Sequence, residues 1–318
     1  MLTEYLLVNK CCLQDQSKSV LILNNLISIT RANFLPLTVV IVVANLAAAF
    51  YSHRAFSIMS AGMVLIGALL LHASVNAFNN YFDYRSMIDS RTAKTPFSGG
   101  VDILVKGEMK GSSALLVGVI CLVVAGVIGT YFLMLFFYPL LPLVLYGTIA
   151  IVLYTPILSR IHGASEIIAG SGFGVMGLGT YVTQTGNVDL VGLVVFVPIT
   201  ILVALLLFLN EFPDVEADRI GGRKHLVILM GRRRSATLYV IATAATYLSI
   251  VYSVVVGVAP ISVLVALLSL PLAYKACRIV MRECENTWKL VPALGLNVIM
   301  ILATILLLGV GFLIAIIV

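Results

Sequence analysis

The sequence predicts an all-α protein, a polytopic membrane bundle of about nine transmembrane helices. Three observations predict it. Of 318 residues, 61% are hydrophobic and 11% are charged, where soluble domains carry roughly 25% charged residues, and the mean hydropathy is +1.10. The apolar residues gather into stretches close to the roughly 20 residues with which a helix crosses ~30 Å of hydrocarbon at 1.5 Å per residue. Nineteen of the 20 Lys and Arg residues fall on one side of the arrangement those stretches imply.

In chain order the stretches are about 34–51, 57–80, 113–137, 139–157, 163–183, 190–211, 236–257, 259–279 and 291–318. Only Tyr138-Pro139 parts the third from the fourth, so eight or ten spans are alternatives. With nine spans, the N-terminus and the loops 81–112, 158–162, 212–235 and 280–290 share one face, and Arg54 is the single basic residue on the other. The positive-inside rule then places the charged loops in the cytoplasm of a cell-membrane protein, with the C-terminus outside. The fifth stretch holds Gly170, Gly172, Gly174, Gly177 and Gly179, a density that points to close helix packing, with substrate approach to the backbone as the alternative. No long Pro- or Ser-rich linker interrupts residues 1–318, which read as a single domain.

The net charge of +6 does not indicate a nucleic-acid partner, because the basic residues share their loops with nearly all the acids. Arg232-Arg233-Arg234 is expected to meet anionic lipid headgroups. Five cysteines, Cys11, Cys12, Cys121, Cys277 and Cys284, have no metal-ligand spacing and read as packing or lipid-facing thiols, with acylation of Cys11-Cys12 as an open alternative. The first 30 residues carry no cleavage pattern, so no signal peptide is expected.

Two polar loops hold the clustered acids, and the segments leading into them share a layout: NAFNNYFDYRSMID at 76–89 and NEFPDVEADRIGGRK at 210–224. The two halves of the chain thus read as loose repeats. In the first segment Asn76, Asn79 and Asp83 share one helical stripe, and Asp89 joins them only if the helix ends near Arg85 and the chain turns back at Ser86-Met87. In the second, Asn210, Asp214 and Asp218 recur every four residues on one face. Pro213 removes one helical hydrogen bond and would tilt the acidic end inward.

Carboxylates beside a membrane need partners, and Arg85, Arg91, Lys94, Arg219, Arg223 and Lys224 supply them. Oxygen-only ligands without nearby His or Cys pairs favour Mg²⁺, which commonly bridges carboxylates and phosphate oxygens. Asn79, Asp83, Asn210, Asp214 and Asp218 are therefore the candidate metal ligands. Two such clusters ringed by cations form a receptor for a diphosphate.

These residues resemble the UbiA prenyltransferase superfamily, with its N-x-x-x-D-x-x-x-D after the second helix and D-x-x-x-D after the sixth in a nine-helix bundle. Asn79 and Asp83 fall on the first motif, Asp214 and Asp218 on the second. Asp89 comes two residues later than the general spacing and, with TPFSGG at 95–100, is similar to the branch that prenylates 1,4-dihydroxy-2-naphthoate in menaquinone synthesis. Asn210, Asp214, Asp218, Gly222, Arg223, Lys224 and Leu226 match that branch's second motif; around the first, Asn80 stands where many members have Asp and Met87 where the branch usually has Gly.

The resemblance implies catalytic roles for Asp83, Asp89, Asp214 and Asp218, and transfer of a prenyl group from its diphosphate to an aromatic acceptor. Arg85, Arg91, Lys94, Arg223, Lys224 and Tyr154 are then the diphosphate-binding candidates. An anionic acceptor would need a cation, so Arg160, Arg31, Asn76 and Glu166 are its candidates, and Asp89 and Glu166 are candidates for the base that takes the ring proton. Other acceptors remain alternatives: a glycerol phosphate-type lipid precursor, 4-hydroxybenzoate or haem. An ion-coupled transporter would place its carboxylates near the midplane, whereas these lie at one face.

Overall fold

The computed structural model describes residues 23–54, 56–87, 95 and 100–318, all of it helix, turn or irregular chain. After helical residues 23–29, the α-helices from Leu35 onward are, in order, α1 Leu35–His53, α2 Ile58–Arg85, α3 Asp102–Val105, α4 Gly111–Leu135, α5 Phe137–Leu153, α6 Ala164–Thr185, α7 Leu190–Ile220, α8 Leu226–Met230, α9 Arg232–Val255, α10 Leu270–Glu283 and α11 Thr287–Ile317. Tight 3₁₀ turns cover Ala32–Phe34, Leu158–Arg160 and Ile261–Ser269.

Among the described residues, seven helices are long and apolar enough to cross a membrane: Ala32–His53, Ile58–Arg85, Gly111–Leu135, Leu190–Ile220, Arg232–Val255, Ile261–Glu283 and Thr287–Ile317. α5 is apolar but only 17 residues long, and glycine-rich α6 is not among the seven. Length and hydropathy thus support a multi-pass bundle without reaching the expected nine. α4 and α5 part at Phe136, earlier than Tyr138-Pro139, because Pro139 has no N–H for the Leu135 carbonyl and its ring crowds that oxygen.

Helix starts are capped by side chains where the sequence offers them: Ser57 accepts from the Ser60 N–H at 3.2 Å, Asp189 from Gly192 at 3.0 Å, and Asn286 from Lys289 at 3.1 Å. α1, α6, α7, α9 and α11 enclose one core around Ile41, Ile199, Tyr247 and Phe312. α7 and α9–α11 continue it as a second cluster around Leu209, Tyr239 and Leu294, while α2 packs on α4. The glycines of α6 divide by face. A Cβ at Gly170 or Gly174 would strike Thr200 of α7 and one at Gly177 would strike Asn45 of α1, whereas at Gly172 and Gly179 it would meet nothing within 4 Å. Close packing thus accounts for three of the five.

The Arg232 guanidinium, expected at lipid headgroups, instead donates to the carbonyls of Phe212 at 3.1 Å and Glu285 at 3.2 Å. It ties the start of α9 to α7 and to the turn before α11, at the end of the bundle where α2 and α7 finish.

Candidate active site

α2 and α7 end in the same way, and those ends build the site. In α7 the Gly222 N–H donates to the Arg219 carbonyl at 3.2 Å and the Arg223 N–H to the Asp218 carbonyl at 2.9 Å, the paired bonds of a Schellman turn with Gly222 left-handed at φ 81°. In α2 the Met87 N–H donates to the Tyr84 carbonyl at 3.1 Å, with Met87 left-handed at φ 59°. The break expected at Ser86-Met87 is present, made by a methionine in a conformation that glycine adopts without strain.

The α7 turn aims Arg223 back across the gap. Its guanidinium bonds Asp83 Oδ1 through Nη2 and lies 3.2 Å from Asp218 Oδ1 through Nη1, so one side chain joins the acids of both motifs. Burial works against the Arg223 charge, but Asp83 and Asp218 more than offset it and hold its pKa well above the ordinary value. Asp218 Oδ2 lies 3.3 Å from His225 Nε2.

Behind this pair lies a buried group. His225 Nδ1 is 3.7 Å from Glu211 Oε2, and Glu166, Glu211 and His225 each bring a ligand atom within 4.8 Å of the others. Glu166 Oε1 accepts from the Leu226 N–H at 2.7 Å and Oε2 from Ser165 Oγ at 2.8 Å. Glu166 therefore braces the start of α8 and the segment that carries Arg223.

On the α2 side, Asn80 is fully buried; its Oδ1 accepts from Arg31 Nη2 at 2.9 Å and Nε at 3.2 Å, and its Nδ2 donates to the Ile29 carbonyl at 2.8 Å. Asn76 donates to the Thr30 carbonyl at 2.9 Å. These amides, one helical turn apart, hold the chain where Arg31 takes a left-handed φ of 48°. Asn79, on the neighbouring stripe, donates to Thr155 Oγ1 at 3.4 Å.

A cavity of about 550 Å³ opens from this cluster into the bundle between α2, α4, α5, α6 and α7. Arg31, Asn76, Asn79, Asp83, Tyr154, Asn210, Glu211, Asp214, Asp218 and Arg223 line its polar end; the rest is mainly apolar, interrupted by His72, Thr130, Thr148, Thr180 and Thr183. A smaller pocket of about 250 Å³ adjoins it, bounded by Asp83, Arg85, Ser159, Arg160 and Arg223. Arg160 thus stands with Arg85, away from Arg31 and Asn76. Lys224 is exposed and joins the site region through its backbone, its carbonyl accepting from the Gly163 N–H at 2.9 Å. Asp89, Arg91, Lys94, residues 96–99 of the TPFSGG segment and Cys11-Cys12 lie outside the described residues.

Sequence reasoning missed Glu211, His225, Thr155 and the anchoring role of Asn80. For Glu211 a signal existed, a carboxylate between Asn210 and Asp214 inside an apolar helix. For His225 there was none, since its partners are brought near only by the turn at Gly222.

Asn79, Asp83, Asn210, Asp214 and Asp218 converge on one cavity, an all-oxygen donor set suited to Mg²⁺. The Asn210 Oδ1 atom is buried without a hydrogen-bond partner in the protein, as a cation ligand would be. The residues fit the ion.

A model of the UbiA prenyltransferase family matches residues 37–301. The chain is similar to 1,4-dihydroxy-2-naphthoate octaprenyltransferase of Bacillus subtilis (strain 168), 29% identical over 218 residues that cover 68% of this chain and 69% of the relative. Its fold is similar to a UbiA homolog from Aeropyrum pernix K1, with TM-score 0.67 and 17% identity over 87% of this chain and 97% of that one. It is also similar to a UbiA homolog from Archaeoglobus fulgidus bound to DMAPP and Mg²⁺, with TM-score 0.58 and 14% identity over 92% and 99%.

Proposed function

The chain belongs to the UbiA prenyltransferase family and is a multi-pass membrane prenyltransferase, and from that premise we propose that it is Mg²⁺-dependent and prenylates an aromatic acceptor of the dihydroxynaphthoate kind. One observation carries the reading: Asp83 and Asp218, from motifs 135 positions apart, meet through Arg223 at the polar mouth of a long apolar cavity. That mouth suits a diphosphate and that cavity a hydrocarbon tail.

Asn79, Asp83, Asn210, Asp214 and Asp218 would hold Mg²⁺, which when bound neutralises diphosphate charge. Arg223, Arg85 and Arg160 present further positive charge where the diphosphate leaves. The bond from prenyl C1 to the diphosphate oxygen breaks, its electron pair going to that oxygen; an electron-rich aromatic carbon forms the new bond to C1, and its ring proton then passes to the released diphosphate. The cavity walls keep water from the allylic cation that develops. Arg31, held by Asn80 at the cavity edge, is the cation placed for an acceptor carboxylate. The Bacillus relative supports this acceptor class, and the excess of basic residues supports cytoplasmic placement of the site face.

The test is direct. Purified protein with Mg²⁺, a set of prenyl diphosphates and a panel of acceptors, including dihydroxynaphthoate, 4-hydroxybenzoate and glycerol phosphate, is analysed for products by mass. A prenylated naphthoate product supports the reading; transfer to glycerol phosphate alone overturns the acceptor class.

A further inference from the structure

The cavity carries information about the donor that its polar mouth does not. Gly126 and Gly129 of α4, Gly147 of α5, and Gly172 and Gly179 of α6 all line it, and at each a Cβ would meet nothing within 4 Å. These glycines do not serve helix contacts, as Gly170, Gly174 and Gly177 do; they face open space inside the bundle. In a helix interior, glycine costs about 0.5–1 kcal/mol relative to alanine, so five on one cavity wall run against local stability. What they provide is width.

The cavity also has depth. Along α2 its lining runs from Asp83 to Val64, 19 residues or about 28 Å of helix. An isoprene unit adds four chain bonds, about 5 Å when extended. Counted from the helix ends at the acidic face, Gly147 and Gly172 lie about 9–12 Å deep and Gly126 and Gly179 about 22 Å deep, with Gly129 below them.

Building on the prenyl-transfer reading, we propose that these glycines form a track that takes the donor's tail straight down through the bundle, so that about the first five isoprene units of a long donor lie inside it while shorter donors occupy only its upper part. A tail that turned sideways into lipid near the mouth would leave the deep glycines without contact. A tail that follows the track must pass each at a set distance from C1.

That difference makes a graded test. Wild type, Gly172→Phe, Gly179→Phe and Gly62→Phe are compared with donors of one to eight isoprene units, reading kcat/KM for each. Gly62 is the control: it too has open space at Cβ, but it is exposed and outside the cavity lining. Gly172→Phe should lower kcat/KM by about tenfold or more for donors longer than two units, and Gly179→Phe for those longer than about four. Both should retain the shortest donor, whose turnover also reports an intact fold, and Gly62→Phe should keep the wild-type profile. If the two cut-offs coincide, if every donor is lost alike, or if all variants keep the wild-type profile, the track is wrong. A wild type that transfers no prenyl group from any donor instead overturns the underlying reading.

Discussion

Asp83 and Asp218 occupy the same place in two different helices: each is the third residue from the end, followed three and four residues later by the helix cap and a left-handed residue. The two acids then share one guanidinium, that of Arg223. The repeat visible in the sequence as spaced Asn and Asp residues is in the structure a repeated way of stopping a helix. Its consequences can be measured.

Replacing either acid removes half of the Arg223 anchorage and, on the proposed reading, one metal ligand. Asp83→Ala and Asp218→Ala should each lower turnover by at least a hundredfold, with stability falling by about 1.5–3 kcal/mol, because the guanidinium loses one charged partner and keeps the other. Asp214→Ala should lose turnover with less effect on folding, since Asp214 is only half-buried. Rates and thermal unfolding in detergent separate the two effects.

The turns themselves should respond in opposite directions. Gly222→Ala forces a Cβ into a left-handed position and should destabilise by about 1 kcal/mol, with a further loss of activity as Arg223 is displaced. Met87→Gly relieves the corresponding strain and should be neutral to stabilising by up to about 1 kcal/mol, because greater freedom of the unfolded chain offsets part of the gain. Unfolding midpoints in a single detergent decide it.

Metal dependence should be complete. Excess chelator should abolish activity and Mg²⁺ restore it, and Asn210→Ala should raise the Mg²⁺ concentration needed for half-maximal rate, because its Oδ1 has no partner in the protein. Unchanged Mg²⁺ demand in that variant would remove Asn210 from the ligand set.

The two pockets give a division between arginines. Arg31→Ala should raise the acceptor KM more than the donor KM, and Arg160→Ala the reverse, since Arg160 lines the smaller pocket with Arg85 and Arg223. Both constants measured for both variants test the assignment. A shift of the acceptor constant alone in Arg160→Ala contradicts it.

Orientation is open to labelling in a cysteine-free background. Exposed Lys106→Cys and Arg234→Cys should resist an impermeant thiol reagent in intact cells, and Val188→Cys, at the opposite end of the bundle, should react. The reverse pattern would invert the topology.

The long apolar helices, the shared face of Asn79 and Asp83 and the four-residue step from Asn210 to Asp218 are legible because they depend on local periodicity. The ending of α2 at Arg85 was legible too, although its left-handed residue is a methionine. What was hidden depended on chain folding back on itself. The sequence offers Glu166 and Arg160 as acceptor contacts but gives no sign that α8 places the Leu226 N–H against Glu166 or that the Leu158–Arg160 turn sets Arg160 beside Arg85. Arg232 read as a lipid ligand because its carbonyl partners belong to other helices.

The glycine contacts of α6 with α1 and α7 have a mechanical meaning. Helices whose backbones touch cannot slide or tilt apart without opening voids, so this side of the bundle is a fixed wall. Across the cavity, only 17% of the most apolar part of α4 is buried inside the protein, and α5 beyond it is a short helix set off by the break at Phe136. On the proposed reading, a donor or a lengthened lipid product that crossed this side of the bundle would pass where α4 and α5 face hydrocarbon, and turnover would then depend on lipid order as well as on the acids at the mouth.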